Sequence, residues 1–155
     1  MKTPPNFWAG LCAIVTGALI MLLGAGVIPA RAEDFHAPHW VVGAAGFAFL
    51  CAGVAIWLGS AGPRDQLMPW QRLGIDLAGV SILVCFAAIF SWVGYGPGER
   101  EFSGGVPFAG AHANNVIGRM LFGGFGVLSW GVVAIAVVAM LRRWAADAKA
   151  ARMAA

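Results

Sequence analysis

The eleven residues from Ala30 to Trp40, ARAEDFHAPHW, decide the topology of this chain. They follow a long apolar run and carry an Ala-x-Ala triplet, two acids, and two histidines three residues apart. Three readings compete: a signal-peptidase site, a metal site, and the hairpin between two membrane helices. The first predicts a disposable leader, with cleavage after Ala32. A leader has an apolar region of about 7–15 residues, whereas Phe7–Ile28 runs longer than that without a charge. Glycines at 10, 17 and 24 recur every seven residues, which keeps them near one helix face with the drift of a left-handed crossing. Such a face lets a neighbouring backbone approach closely, a property that a disposable leader does not need. The hairpin reading is therefore preferred, with the first span retained and Pro38 inside the first turn of the second helix.

The rest of the chain agrees with two retained helices here. Of 155 residues, 60% are hydrophobic and 11% charged, with a mean hydropathy of +0.79. A soluble domain carries about 25% charged residues, so lipid must solvate much of this surface. Phe7–Ile28, Val41–Ala61, Leu73–Tyr95 and Val116–Leu141 each reach the roughly 20 residues that a spanning helix needs. Barrel strands are excluded because they are about 10 residues long and alternate in polarity. The expectation is an all-α integral membrane four-helix bundle forming one domain, followed by a basic tail over residues 142–155. Trp8, Trp40, Trp57, Trp70, Trp92 and Trp144 fall near span ends, where an amphipathic ring suits the headgroup layer, and only Trp130 lies deep in a span.

Orientation follows the bias of Lys and Arg in short loops. Lys2, Arg64, Arg72, Arg142, Arg143, Lys149 and Arg152 fall on one side, against Arg31, Arg100 and Arg119 on the other. Both termini are thus expected in the cytoplasm. The net charge of +3 reflects this bias rather than nucleic-acid binding. The Ala-rich tail is expected to be helical and to lie along anionic headgroups. Cys12, Cys51 and Cys85 all sit within spans without a Cys-x-x-Cys pair, and read as small packing residues.

The two halves look alike. Each has an apolar span, a short acidic turn and a second span, and Val41, Gly43 and Phe47 match Val116, Gly118 and Phe122. Two copies of a two-helix unit would share orientation, a parallel repeat of the kind some transporters use. Gly and Phe are common in this sequence, so chance matching stays open beside it.

Few residues carry chemistry. Glu33, Asp34, His36 and His39, with His112 from the second outer loop, offer the ligand types that suit Zn²⁺ or Cu²⁺, given three or four donors converging at about 2 Å. The alternative is that His39 and Trp40 are interfacial and that the acids offset a helix dipole. Asp76 and Arg119 are the two charges inside spans, where ionisable residues are costly and often functional. Asp76 lies four residues after Arg72, and that spacing predicts an ion pair on one helix face. Arg119 is expected to reach Glu99 or Glu101, or to snorkel to the headgroups. The Gly96-Pro97-Gly98 run ends the third helix, and residues 104–113 form a loop or a shallow re-entrant cover. Neither catalytic residues nor a cofactor are expected.

The stretches FHAPHWVVGAAG and GYGPGEREFSGG, with GRMLFGG, resemble uncharacterised small four-span inner-membrane proteins of bacteria. In outline the chain is also similar to the small membrane subunit of tripartite tricarboxylate transporters. The first resemblance implies a bacterial inner-membrane location but no activity. The leading expectation is a non-enzymatic accessory or assembly subunit that binds other membrane proteins or itself. A small transporter component with Asp76 in the path is the first alternative. A periplasmic metal sensor or carrier built on the His and acid cluster is the second.

Overall fold

A computed structural model describes residues 6–29, 37–97, 102 and 111–154. Among them are four long helices: α1 (Asn6–Gly24), α2 (His39–Gly59), α3 (Pro69–Tyr95) and α4 (Ala111–Ala154), with a 3-10 turn at Arg64–Gln66. No strand occurs among the described residues. All four helices are long and apolar enough to cross a membrane. The protein is an all-α, multi-pass membrane bundle.

Each helix ends where its sequence supplies a reason. α1 stops at Gly24, four residues short of the apolar run, because Gly26 adopts φ 72°. There the Gly26 N–H donates to Leu23 O and the Val27 N–H to Leu22 O, both at 3.0 Å, a Schellman closure that satisfies the last carbonyls. Apolarity alone could not locate that stop. α2 begins at His39, with Pro38 as its N-cap at φ −57° and ψ 146°, so Pro38 precedes the first turn rather than lying in it. α3 starts at Pro69, where the missing N–H costs nothing. The Met68 N–H donates to Gln71 Oε1 at 2.8 Å, which ties down the entry to that helix. α3 ends at Tyr95 because Gly96 is extended, as a residue before proline must be.

α1 packs on α2, α2 on α3, and α3 on α4, so the extensive interfaces run in chain order. The buried positions are mostly small: Ala48, Cys51, Ala78, Cys85 and the fully buried Ala87, joined by a few larger side chains such as Leu58 and Met140. Large apolar side chains such as Leu11, Phe49, Phe86, Leu128 and Ile135 point outward. This is the arrangement expected where lipid is the solvent and helices gain from close packing instead of apolar burial. Cys12 is exposed and so does not pack as the sequence suggested, whereas Cys51 and Cys85 are buried.

α4 is one unbroken helix of 44 residues, about 66 Å long at 1.5 Å per residue. A tail lying along the headgroups would need a bend near Leu141, and the helix has no interruption there. The basic tail therefore continues the direction of the span.

Candidate functional site

The first candidate is the α1–α2 seam. A Cβ added to Gly10 would lie 2.9 Å from Trp57 N and 3.0 Å from Gly53 O. At Gly17 it would lie 2.4 Å from Leu50 N and 2.7 Å from Gly46 O. At Gly24 it would lie 2.5 Å from Gly43 N and 3.0 Å from His39 O. The reciprocal positions on α2 are just as tight, with Gly46 against Met21 N and Gly53 against Ile14 N, both at 2.6 Å. The two backbones are thus in contact along the antiparallel register Gly10–Gly53, Gly17–Gly46. Sequence reading missed Gly46 and Gly53, although their seven-residue spacing repeats that of α1.

The α3–α4 seam uses a different device. Gly94 faces Gly123, Gly126 faces Ser91, and Trp130 Nε1 donates to Ser91 Oγ at 3.1 Å across the helices. Gly118 makes room for the Phe102 ring, which stacks on Phe122 with centroids 5.7 Å apart. The matched residues of the two halves are therefore used differently: Gly43 receives Gly24 against its own backbone, while Gly118 receives an aromatic ring.

On the outer flank of α4 the situation changes. A Cβ at Gly124 or Gly131 would meet nothing within 4 Å. These glycines are again seven residues apart, on a face with Leu121, Leu128 and Ile135, all of them exposed.

The second candidate is a charged cleft at the end of the bundle that carries Arg64, Arg72 and Arg143, here called the basic end. Arg64 Nη2 donates to both Asp76 carboxylate oxygens, at 2.8 and 2.7 Å. Arg143 Nη1, from α4, lies 3.7 Å from Asp76 Oδ1. The Asp76 side chain is 9% exposed, against 46% for Arg64 and 54% for Arg143. A nearly buried carboxylate is thus held by two cations that remain in contact with solvent, and it ties the α2–α3 loop, α3 and α4 together. The expected Arg72–Asp76 pair does not form. Arg72 instead donates to Leu67 O at 3.0 Å and Asp65 O at 2.6 Å, closing the loop before α3. Spacing alone could not choose between Arg72 and Arg64, since the Pro63 turn that brings Arg64 back over α3 is a tertiary feature. Around the tie lies an open cleft of about 940 Å³, lined also by Asp65, Trp144 and Asp147.

At the opposite end Arg119 does not snorkel. It donates to Gly94 O at 3.3 Å and, more closely, to Gly96 O. A guanidinium here satisfies the orphan carbonyls at the α3 C-terminus, where the helix dipole favours a cation. Its alternative partners Glu99 and Glu101 lie outside the described residues, as do residues 103–110 of the second loop. Glu33, Asp34 and His36 also lie outside them, as does the Ala30–Ala32 triplet. His39 opens α2, and His112 is the second residue of α4; both are exposed. Among the described residues no three metal-ligating side chains converge.

Comparison of the chain with family models, curated proteins and solved structures returns no match.

Proposed function

We propose that the protein is a non-enzymatic accessory or assembly subunit of the bacterial inner membrane, with both termini in the cytoplasm. It works by packing its outer α4 flank against a second membrane helix, from another protein or from a second copy. The observation that carries this reading is the open space at Gly124 and Gly131. A spaced glycine pair is used inside the chain to seat one backbone on another, and on α4 the same spacing faces outward. Glycine in a helix interior costs about 1 kcal/mol relative to alanine, and a lipid-facing position returns nothing for that cost. A partner backbone would. The location draws on the resemblance to four-span bacterial proteins, and the orientation on seven basic residues against three across the loops.

The test is purification of the full chain in mild detergent, followed by mass measurement of the particle. The wild type should run with a co-purifying membrane protein or as more than one copy, and Gly124→Leu/Gly131→Leu should release it as a monomer. Because both positions open into space, the released variant chain should unfold no more easily than the wild-type chain, and its midpoint should rise by the gain in helix propensity. A wild-type chain that purifies as a lone monomer overturns the proposal.

A further inference from the structure

We infer that the stretch of α4 from Ala134 to Arg143 is a binding site for one anionic phospholipid. A shallow groove of about 560 Å³ runs down α4, lined by Ala134, Ile135, Val138, Ala139, Arg142 and Arg143. These six residues form two adjacent ridges at four-residue spacing: Ala134–Val138–Arg142 and Ile135–Ala139–Arg143. Ridges of this kind leave a furrow between them. Each row places an alanine beside the furrow, which keeps it open, and each row ends in a guanidinium.

Length and charge both fit a lipid of the adjacent leaflet. From Ala134 to Arg143 the helix rises about 14 Å, close to half of a hydrocarbon core of about 30 Å. An acyl chain laid in the furrow therefore spans one leaflet and brings its phosphate to the two arginines. Both have donors to spare. Arg142 makes no ion pair or hydrogen bond with another described residue. Arg143 donates Nε to Ala139 O at 3.2 Å, while its Nη1 stands 3.7 Å from a carboxylate whose two oxygens Arg64 already occupies. Two forked donors at the edge of an apolar furrow match a phosphate oxyanion. A zwitterionic headgroup brings its own cation to the same place and is disfavoured. The groove begins one turn beyond Gly131, so the lipid and the proposed helix partner meet at Ile135 and otherwise occupy consecutive stretches of α4.

Native mass spectrometry of the full chain, released from vesicles of equal phosphatidylcholine and phosphatidylglycerol, tests the assignment. One phosphatidylglycerol should stay bound in preference. Arg142→Gln, which breaks no hydrogen bond or ion pair among the described residues, should lower the retained ratio about fivefold, the effect of one basic residue near an anionic surface. Ala134→Leu, which fills the furrow and keeps both charges, should lower occupancy as well. Lys149→Gln/Arg152→Gln, further along the tail, should change the ratio less than twofold. Gly124→Leu/Gly131→Leu should leave the lipid ratio unchanged, so failure of the partner proposal is read separately from failure of this one. Equal retention of the two lipids overturns the assignment. So does a tail variant as damaging as Arg142→Gln, which would mean diffuse attraction. Displacement of the lipid by millimolar glycerol phosphate would also overturn it, because the furrow would then play no part.

Discussion

Replacing Gly17 with alanine should weaken the bundle far more than the same change at Gly124, although both glycines lie mid-helix in apolar segments. The Gly17 Cβ would lie 2.4 Å from Leu50 N, 2.7 Å from Gly46 O and 2.9 Å from Leu50 Cα. Ordinary contact begins at 3.4 Å, so the nearest pair is short by 3.4 − 2.4 = 1.0 Å. Every one of these atoms is backbone, and no rotamer change can relieve the clash. The helices must separate instead, and a gap of about 1 Å forfeits up to about half of the dispersion attraction along the seam. Overpacking of this kind costs about 1–3 kcal/mol, and the backbone contact places Gly17 toward the upper end. Alanine also returns about 1 kcal/mol of helix propensity, leaving a net loss of about 2 kcal/mol. At Gly124 only the propensity gain applies, because a Cβ there meets nothing within 4 Å. The propensity terms cancel between the two variants, and the difference of about 3 kcal/mol isolates the seam. Gly10→Ala should fall between them, since its nearest atom is 2.9 Å away. Reversible unfolding in mixed micelles, followed by tryptophan fluorescence, gives the midpoints. Equal midpoints for Gly17→Ala and Gly124→Ala would refute the reasoning.

Three other outcomes follow from the geometry. A double-mutant cycle should give a coupling of about 1–2 kcal/mol between Asp76→Asn and Arg64→Gln and almost none between Asp76→Asn and Arg72→Gln; equal couplings would restore the pairing that spacing suggests. Arg119→Lys removes the forked donor that spans two carbonyls, so amide exchange in the last turn of α3 should speed up several-fold while α1 and α2 are unaffected; unchanged exchange in residues 91–96 would deny Arg119 its capping role. Intact-mass measurement should return a chain that keeps α1, and a mature protein beginning at Glu33 would contradict the intact hairpin.

The membrane architecture was legible because its cause is one-dimensional: runs such as Val41–Ala61 are too apolar and too long for water, whatever they pack against. Helix ends were less legible. Ala25–Ile28 is as apolar as the helix before it, and only the left-handed turn at Gly26 separates the two. Conversely, the polar start and the basic tail of α4 are helical because nothing in them breaks a helix, even though hydropathy excludes them from the span. The close-packing glycines of α1 announced themselves through spacing, a local property of one helix. The Asp76 tie did not, since Arg64 and Arg143 come from a loop and from another helix, and each looked only like a topological charge. The open flank of α4 was invisible for the same reason: Gly124 and Gly126 read alike in sequence, and only the position of α3 shows that one is covered and the other bare.

The continuity of α4 has a mechanical consequence. A rigid rod emerging from a bilayer is a lever, and its fulcrum here is the Arg143 contact with Asp76. From Arg143 to the last helical residue, Ala154, the rod extends about 17 Å. A tilt of about 10° therefore sweeps the tail sideways by about 3 Å at its tip. Whatever leans on the membrane-embedded flank of α4 is thus transmitted as displacement to Lys149 and Arg152, with no hinge along the way to absorb it.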